Sequence, residues 1–130
     1  MRKRKEFDSI GPIDVPADKY WGASTQRSKK YFDIGEIRVR PELIKSIAII
    51  KKSAAIVHKK NRQIKPKIAN AIIKASNEII SGKLIDNFPL KVWQTGSGTQ
   101  TNMNVNEVIS NRSIQILGGK MGTKKPVHPN

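Results

Sequence analysis

The chain of 130 residues has no cysteine, few aromatic residues and few acidic residues. Without cysteine it can form no disulfide bond, thiol nucleophile or thiolate metal site, which fits a reducing compartment. No apolar run approaches the roughly 18 residues of a membrane-spanning helix. No apolar segment follows the basic start at residues 1–5 either, so we expect no secretory signal. These absences favour a cytoplasmic protein with no membrane partner.

Lysine and arginine outnumber the acidic residues by 25 to 10, which gives a formal net charge of +15 at pH 7. A charge of this size can indicate a nucleic-acid partner. The lysines are scattered along the chain, however, and form no single block interleaved with aromatic residues, which make up only 5% of the sequence. We therefore interpret most of them as solvated surface residues and expect no specific nucleic-acid partner.

Apolar residues at helical spacing predict three amphipathic helices, at residues 41–60, 66–82 and 102–117. Pro41 and Pro66 suit the first position of a helix, and Gly82 and Gly118 suit the position after its end. The short link between the first two helices predicts an antiparallel pair. The predicted apolar stripes are Leu43, Ile47, Ile50, Ala54 and Val57, then Ile68, Ile72, Ala75 and Ile79, then Val105, Val108, Ile109 and Ile116.

Residues 1–40 are interrupted by glycine and proline and show only weak alternation near Ile13. This pattern predicts an irregular arm with one or two short extended pieces and no long helix. The fold class predicted from the whole sequence is therefore mainly α, with an irregular N-terminal arm followed by about three amphipathic helices.

The most informative segment is residues 95–107, where small hydroxyl residues, two glycines and three asparagines lead into the third helix. Backbone N–H groups and neutral donors near a helix start suit a small anion. Thr101 or Asn102 is the expected helix cap. Glu107 is expected to interact with the dipole of its own helix rather than to act as a catalytic base. Of the three asparagines, we expect one to reach the site and the others to bond the backbone at the helix start.

The same segment resembles the first signature region of class II fumarases, which belong to the fumarase/aspartase superfamily. Three further segments match that family in order and spacing, at residues 15–27, 88–94 and 127–130. The resemblance implies that residues 1–130 are the N-terminal domain of an all-helical subunit, without the family's central helical bundle and C-terminal domain. It also implies reversible hydration of fumarate to L-malate in the tricarboxylic acid cycle, by a homotetramer that needs no cofactor.

The resemblance assigns site residues at two places. Ser97, Gly98 and Thr99 match the stretch that binds substrate, a small dicarboxylate. A second dicarboxylate site beside the active site is matched by Lys125, His128, Pro129 and Asn130, although the aspartate that follows in the family is not in this sequence. The family's catalytic residues lie in regions absent here, so residues 1–130 alone are expected to be inactive. His58 is interpreted as a surface residue, and no metal site is expected because the two histidines lack partners at ligand spacing.

Two alternatives remain open. An aspartase-type ammonia-lyase shares part of the pattern, but its loop resembles Gly-Gly-Ala-Gly-Thr-Ser and its later motif begins with asparagine, whereas this chain has Ser97 and His128 there. A non-catalytic basic helical binding module is the second alternative, and it would bind nucleic acid with a strong salt dependence.

Overall fold

The computed structural model describes all residues from Met1 to Asn130. Two strands, four α-helices and one short 3-10 helix follow one another along the chain. In order they are β1 Lys3–Asp8, β2 Gly11–Pro16, α1 Ala23–Tyr31, α2 Pro41–Lys60, α3 Pro66–Ile80, the 3-10 helix Ile85–Asn87 and α4 Thr99–Ile116. The mainly α prediction is confirmed. None of the helices combines the length and the apolar character that crossing a membrane requires.

The short extended pieces predicted in the first 40 residues are confirmed as strands β1 and β2, but this part of the chain is more regular than the sequence predicts. The two strands form an antiparallel hairpin with Asp8 opposite Gly11, and the Asp8 carboxylate accepts N–H bonds from Ile10 and Gly11 at the turn. The expected irregular arm also contains a nine-residue helix, α1. This helix has no apolar stripe that the sequence could reveal, because its buried residues are small or polar, namely Ala23, Thr25 and Ser28.

Helices α2 and α3 pack against each other, as predicted. Proline occupies the first turn of each helix, where its missing N–H has no helical partner to lose. After the end of α3, Gly82 adopts a φ of +84°. The predicted apolar stripe of α3 is confirmed, since Ala75 and Ile79 are buried and Ile68 and Ile72 are half-buried.

The predicted apolar stripe of α2 is wrong except at Ile47, which is half-buried and packs against the core. Leu43, Ile50 and Val57 are 52%, 64% and 52% exposed. The buried positions are instead Ile44, Ala48 and Ala55, which lie about 100° further round the helix. Apolar residues cover more than half of the circumference of α2, so the periodicity allows two stripes. The neighbouring helices select the one whose alanines permit close approach.

Helix α4 is the centre of the fold and packs against α1, α2 and α3. Its residues Val105, Val108 and Ile114 are completely buried. Trp21, Ile44, Ala48, Ala75, Ile79 and Phe88 belong to the same hydrophobic core as Val105 and Val108. The predicted apolar face of α4 is therefore largely confirmed. Each of the other three α-helices is therefore in contact with α4.

Candidate functional site

Residues 95–98 form a turn that leads directly into α4. The Gly98 N–H donates to the Thr95 carbonyl at 3.1 Å. Gly98 has a φ of +70°, a left-handed conformation that glycine adopts without a steric penalty. The helix begins at Thr99 with Gly98 at the N-cap, three residues earlier than predicted. The predicted caps, Thr101 and Asn102, therefore lie inside the helix, because the glycine lets the chain enter it without a side-chain cap.

The N-terminus of α4 has unbonded donors. No side chain caps it, and its first turn holds no acidic residue. The backbone N–H groups of Thr99, Gln100 and Thr101 make no hydrogen bond within the chain. Ser97, Gly98 and Thr99, which the resemblance assigns to substrate binding, are exposed at this point. The positive end of an 18-residue helix, with two neutral hydroxyls beside it in sequence, can bind a carboxylate.

Glu107 lies inside α4 and is buried. Its carboxylate accepts N–H bonds from Gly22, Ser24 and Thr25 at 2.8, 2.8 and 3.1 Å. The expected interaction with the dipole of its own helix is therefore wrong, because Glu107 instead sits at the positive end of α1. Burial raises the pKa of Glu107, although the three backbone N–H bonds act in the opposite direction. This carboxylate connects residues 22–25 to the middle of α4.

Asn111, one turn further along α4, connects the same helix to the N-terminal hairpin. Its Nδ2 donates to the Tyr20 carbonyl at 2.9 Å and to Glu6 Oε1 at 3.3 Å. Its Oδ1 accepts the Gly122 N–H at 2.8 Å. Glu6 is buried and bonded to Arg4, whose Nε lies 2.7 Å from Glu6 Oε1. The hairpin is thus held to α4 by side chains whose polar atoms have partners.

The three asparagines near the start of α4 have different environments. Asn104 is buried, and its Nδ2 donates to the Asn87 carbonyl at 3.0 Å, far from the helix start in sequence. Asn87 Oδ1 in turn accepts the Tyr20 N–H at 2.7 Å. Asn106 lines a cleft that α4 forms with α2, α3 and residues 126–130, and Asn102 is half-buried. The expectation that two of them bond the backbone at the helix start is therefore wrong for Asn104.

The glutamines that flank the loop make hydrogen bonds that the sequence analysis missed. The Thr101 hydroxyl donates to Gln94 Oε1 at 3.0 Å, and the Ser28 hydroxyl donates to Gln100 Oε1 at 2.8 Å. Gln94 Nε2 also donates to the Lys91 carbonyl at 2.9 Å. The only signal in the sequence was the position of the two glutamines immediately beside the glycine-bearing run.

The end of the chain forms part of an open cleft of about 480 Å³ between α2, α3, α4 and residues 126–130. The Ser110 hydroxyl anchors this end by donating to the Val127 carbonyl at 2.6 Å, and Val127 is buried. The polar residues that line the cleft are Lys51, His58, Asn106, Ser110, His128 and Asn130.

The structure brings together most of the residues assigned to the second site. His128, Pro129 and Asn130 all line the cleft, whereas Lys125 is exposed and does not. His58 is exposed, as predicted, but contributes to the same cleft from α2. No group of three or more histidine, aspartate or glutamate side chains lies close enough to hold a metal ion.

Comparison with known proteins agrees with this architecture. A protein-family model described as "Lyase" matches residues 11–130. The chain is 55% identical over 127 residues to the class II fumarate hydratase of Brucella suis, and 59% identical over 129 residues to the mitochondrial fumarate hydratase of Rhizopus oryzae, covering 98% of the chain in both. The crystal structure of the class II fumarase of Schistosoma mansoni superposes with a TM-score of 0.94 at 43% identity, over 99% of the chain.

The same comparisons show that the match is to one part of longer proteins. The chain spans 27% of the Brucella suis protein, 26% of the Rhizopus oryzae protein and 27% of the Schistosoma mansoni chain. Within that part, the resemblance that the sequence motifs suggested is confirmed. Because the family model covers the chain from residue 11 to its last residue, the chain belongs to this lyase family, among relatives that are class II fumarate hydratases.

Proposed function

We propose that this chain is the N-terminal part of a fumarate hydratase, which reversibly hydrates fumarate to L-malate in the tricarboxylic acid cycle. The observation that carries the proposal is the start of α4. Its unbonded N–H groups follow Ser97 and Gly98, in the segment that resembles the substrate-binding stretch of class II fumarases. The fumarate hydratases among the relatives support the same reaction.

The chemistry suits these donors. Fumarate is a dianion, and its hydration passes through an intermediate with additional negative charge on one carboxylate. Helix N–H groups and hydroxyls stabilise such charge without having to reorganise. In this proposal, Ser97 and Thr99 hydrogen-bond a substrate carboxylate or the attacking water, and Gly98 lets the backbone approach the ligand closely. The net charge of +15 adds a general attraction for dicarboxylates. The reaction needs no metal or other cofactor.

We propose a second dicarboxylate site at the end of the chain, formed by Lys125, His128, Pro129 and Asn130. The cleft of about 480 Å³ supports it, because His128 and Asn130 line it together with Lys51. Lys125 is exposed and could approach a bound anion from the rim. No acidic residue lines the cleft, so no negative side chain there repels a bound anion.

The wider organisation is also a proposal. Residues 1–130 form the first domain of a subunit that continues with a central helical bundle and a C-terminal domain, as in the longer relatives. The catalytic acid and base come from those domains, and the enzyme is a cytoplasmic homotetramer.

The test is hydration of fumarate by the protein purified from its natural source, followed by the loss of fumarate absorbance. Ser97→Ala and Thr99→Val each remove one hydroxyl, and we expect each to lower kcat/KM about 10- to 100-fold, as for hydrogen bonds to a charged group. The control is Ser46→Ala, which removes an exposed hydroxyl of α2 that donates only to the Glu42 carbonyl. It should leave kcat/KM unchanged.

Two outcomes would contradict the proposal. Conversion of fumarate and ammonium to aspartate without hydration would indicate an ammonia-lyase. Absence of both activities, together with nucleic-acid binding that weakens steeply with salt, would indicate a basic binding module.

A further inference from the structure

The loop that carries Ser97 and Gly98 is closed at its base by one side-chain hydrogen bond. Gln94 precedes the loop, and Thr101 lies in the first turn of α4. The Thr101 hydroxyl donates to Gln94 Oε1 at 3.0 Å, and Gln94 Nε2 donates to the Lys91 carbonyl at 2.9 Å. The Gln94 amide therefore uses its oxygen and its nitrogen to join the chain before the loop to the helix after it.

A second bond fixes the same turn of α4 from outside. The hydroxyl of Ser28, near the end of α1, donates to Gln100 Oε1 at 2.8 Å. Ser28 and Thr101 are both buried, whereas Ser97, Gly98 and Thr99 between the two anchored ends are exposed. Within the loop, the only side-chain hydrogen bond is between the hydroxyls of Thr95 and Ser97, at 3.4 Å.

This distribution means that the exposed residues are positioned from the two ends of the loop. Gly98 is in the left-handed region, and an added Cβ at Gly96 would meet no atom within 4 Å. Two glycines with open space around them leave the backbone of the loop flexible unless its ends are fixed. The Thr101 hydroxyl does not cap its own helix, so helix capping is not the role of this residue.

We propose that Gln94 and Thr101 are positioning residues: their hydrogen bond sets the conformation in which Ser97, Gly98 and Thr99 present their donors to a carboxylate. The identity of the ligand in this inference rests on the proposed function. The hydrogen bond between Gln94 and Thr101, which we call the clamp, rests on the geometry alone. The bond contributes to binding and catalysis through the loop, without a contact to substrate.

The test uses Thr101→Val, which keeps the β-branched shape and removes the hydroxyl, and Thr101→Ser, which keeps the hydroxyl. In the protein, Thr101→Val is expected to raise KM for fumarate and to lower kcat/KM about five- to tenfold, the size expected for one buried hydrogen bond. Thr101→Ser should restore kcat/KM to within about twofold of the parent. Gln94→Ala should match Thr101→Val, and the double variant should lose no more than either single variant.

Amide hydrogen exchange provides a readout that is independent of activity. Thr101→Val should increase exchange about five- to tenfold at Gly98, whose N–H is bonded to the Thr95 carbonyl, while amides in α2 keep their parent rates. Unchanged exchange at the loop, unchanged kcat/KM, or an additive double variant would overturn the clamp. If the parent protein does not hydrate fumarate but Thr101→Val still loosens the loop, the proposed function fails and the clamp stands.

Discussion

The end of α2 offers a sharp test of backbone strain, because three helices of this chain finish in the same way. After α3 and α4, Gly82 and Gly118 adopt φ values of +84° and +80°, and each donates its N–H to a carbonyl three residues earlier. After α2, the equivalent residue is Arg62, with a φ of +58° and the same bond to the Lys59 carbonyl at 3.1 Å. Replacing Arg62 with glycine should therefore stabilise the protein.

The magnitude follows from the two backbone conformations. A left-handed residue other than glycine costs about 1–2 kcal/mol. Glycine avoids this cost, but it makes the unfolded chain more flexible, and this lowers the free energy of unfolding by about 0.5–1 kcal/mol. The net gain expected for Arg62→Gly is about 0.5–1 kcal/mol. Gly82→Ala should cost a similar amount for the reverse reason, since an added Cβ at Gly82 would meet no atom within 4 Å and only the backbone is affected.

Urea unfolding followed by far-UV circular dichroism measures both changes. With a slope of about 2 kcal/mol/M, a gain of 1 kcal/mol moves the midpoint by about 0.5 M. Lys45→Gly is the matched control, because it also replaces an exposed basic residue with glycine, but at a position inside α2. It should lower the midpoint, since glycine in a helix interior costs about 1 kcal/mol. The reasoning is refuted if Arg62→Gly lowers the midpoint as Lys45→Gly does.

Three further predictions concern the N-terminal region. Glu107→Gln should lower the free energy of unfolding by about 2 kcal/mol, because both carboxylate oxygens accept N–H groups of the α1 backbone and the glutamine NH2 cannot replace one of them as an acceptor; urea unfolding at neutral pH measures this. Gly22→Ala should cost about 3 kcal/mol or more by the same assay, since the new Cβ would lie 2.6 Å from Glu6 Oε2. The Arg27 guanidinium beside Asp8 lowers the pKa of that carboxyl, so this pair stabilises the fold above the unfolded-state pKa of Asp8, and its contribution is lost as pH falls through the folded value. Carboxyl NMR titration should find the Asp8 pKa below 3.8, and Arg27→Met should raise it.

The sequence predicts α2 and α3 well because each begins with proline and carries apolar residues at helical spacing. It misplaces the buried face of α2, where the pattern allows two stripes and tertiary packing decides between them. It misses α1 for a different reason. That helix is held by a buried carboxylate from α4 rather than by an apolar stripe of its own, so no local pattern could reveal it.

The loop of residues 95–98 is recognisable from its composition as a candidate anion site, but the contacts that shape it are not. Hydroxyl and amide side chains at Ser28, Gln94, Gln100 and Thr101 pair across separations of 7 and 72 residues. The sequence does not predict the partners of such hydrogen bonds, because each of these groups can equally bond to water. One signal was available within α4: Asn104, Glu107 and Asn111 recur at intervals of three and four residues, the spacing of one helix face.

The buried polar face of α4 explains why the segments that match the fumarase family lie close together in the fold although they are distant in the sequence. Asn104 and Asn111 reach Asn87 and Tyr20, and Glu107 reaches the start of α1. These side chains are therefore occupied inside the domain, where losing one leaves its partner unsatisfied at a cost of about 1–3 kcal/mol. The loop before α4, by contrast, has exposed hydroxyls and unbonded N–H groups that are available for a ligand. Substitutions in the buried face should consequently reduce the amount of folded protein, whereas Ser97→Ala and Thr99→Val should change kinetic constants at unchanged stability.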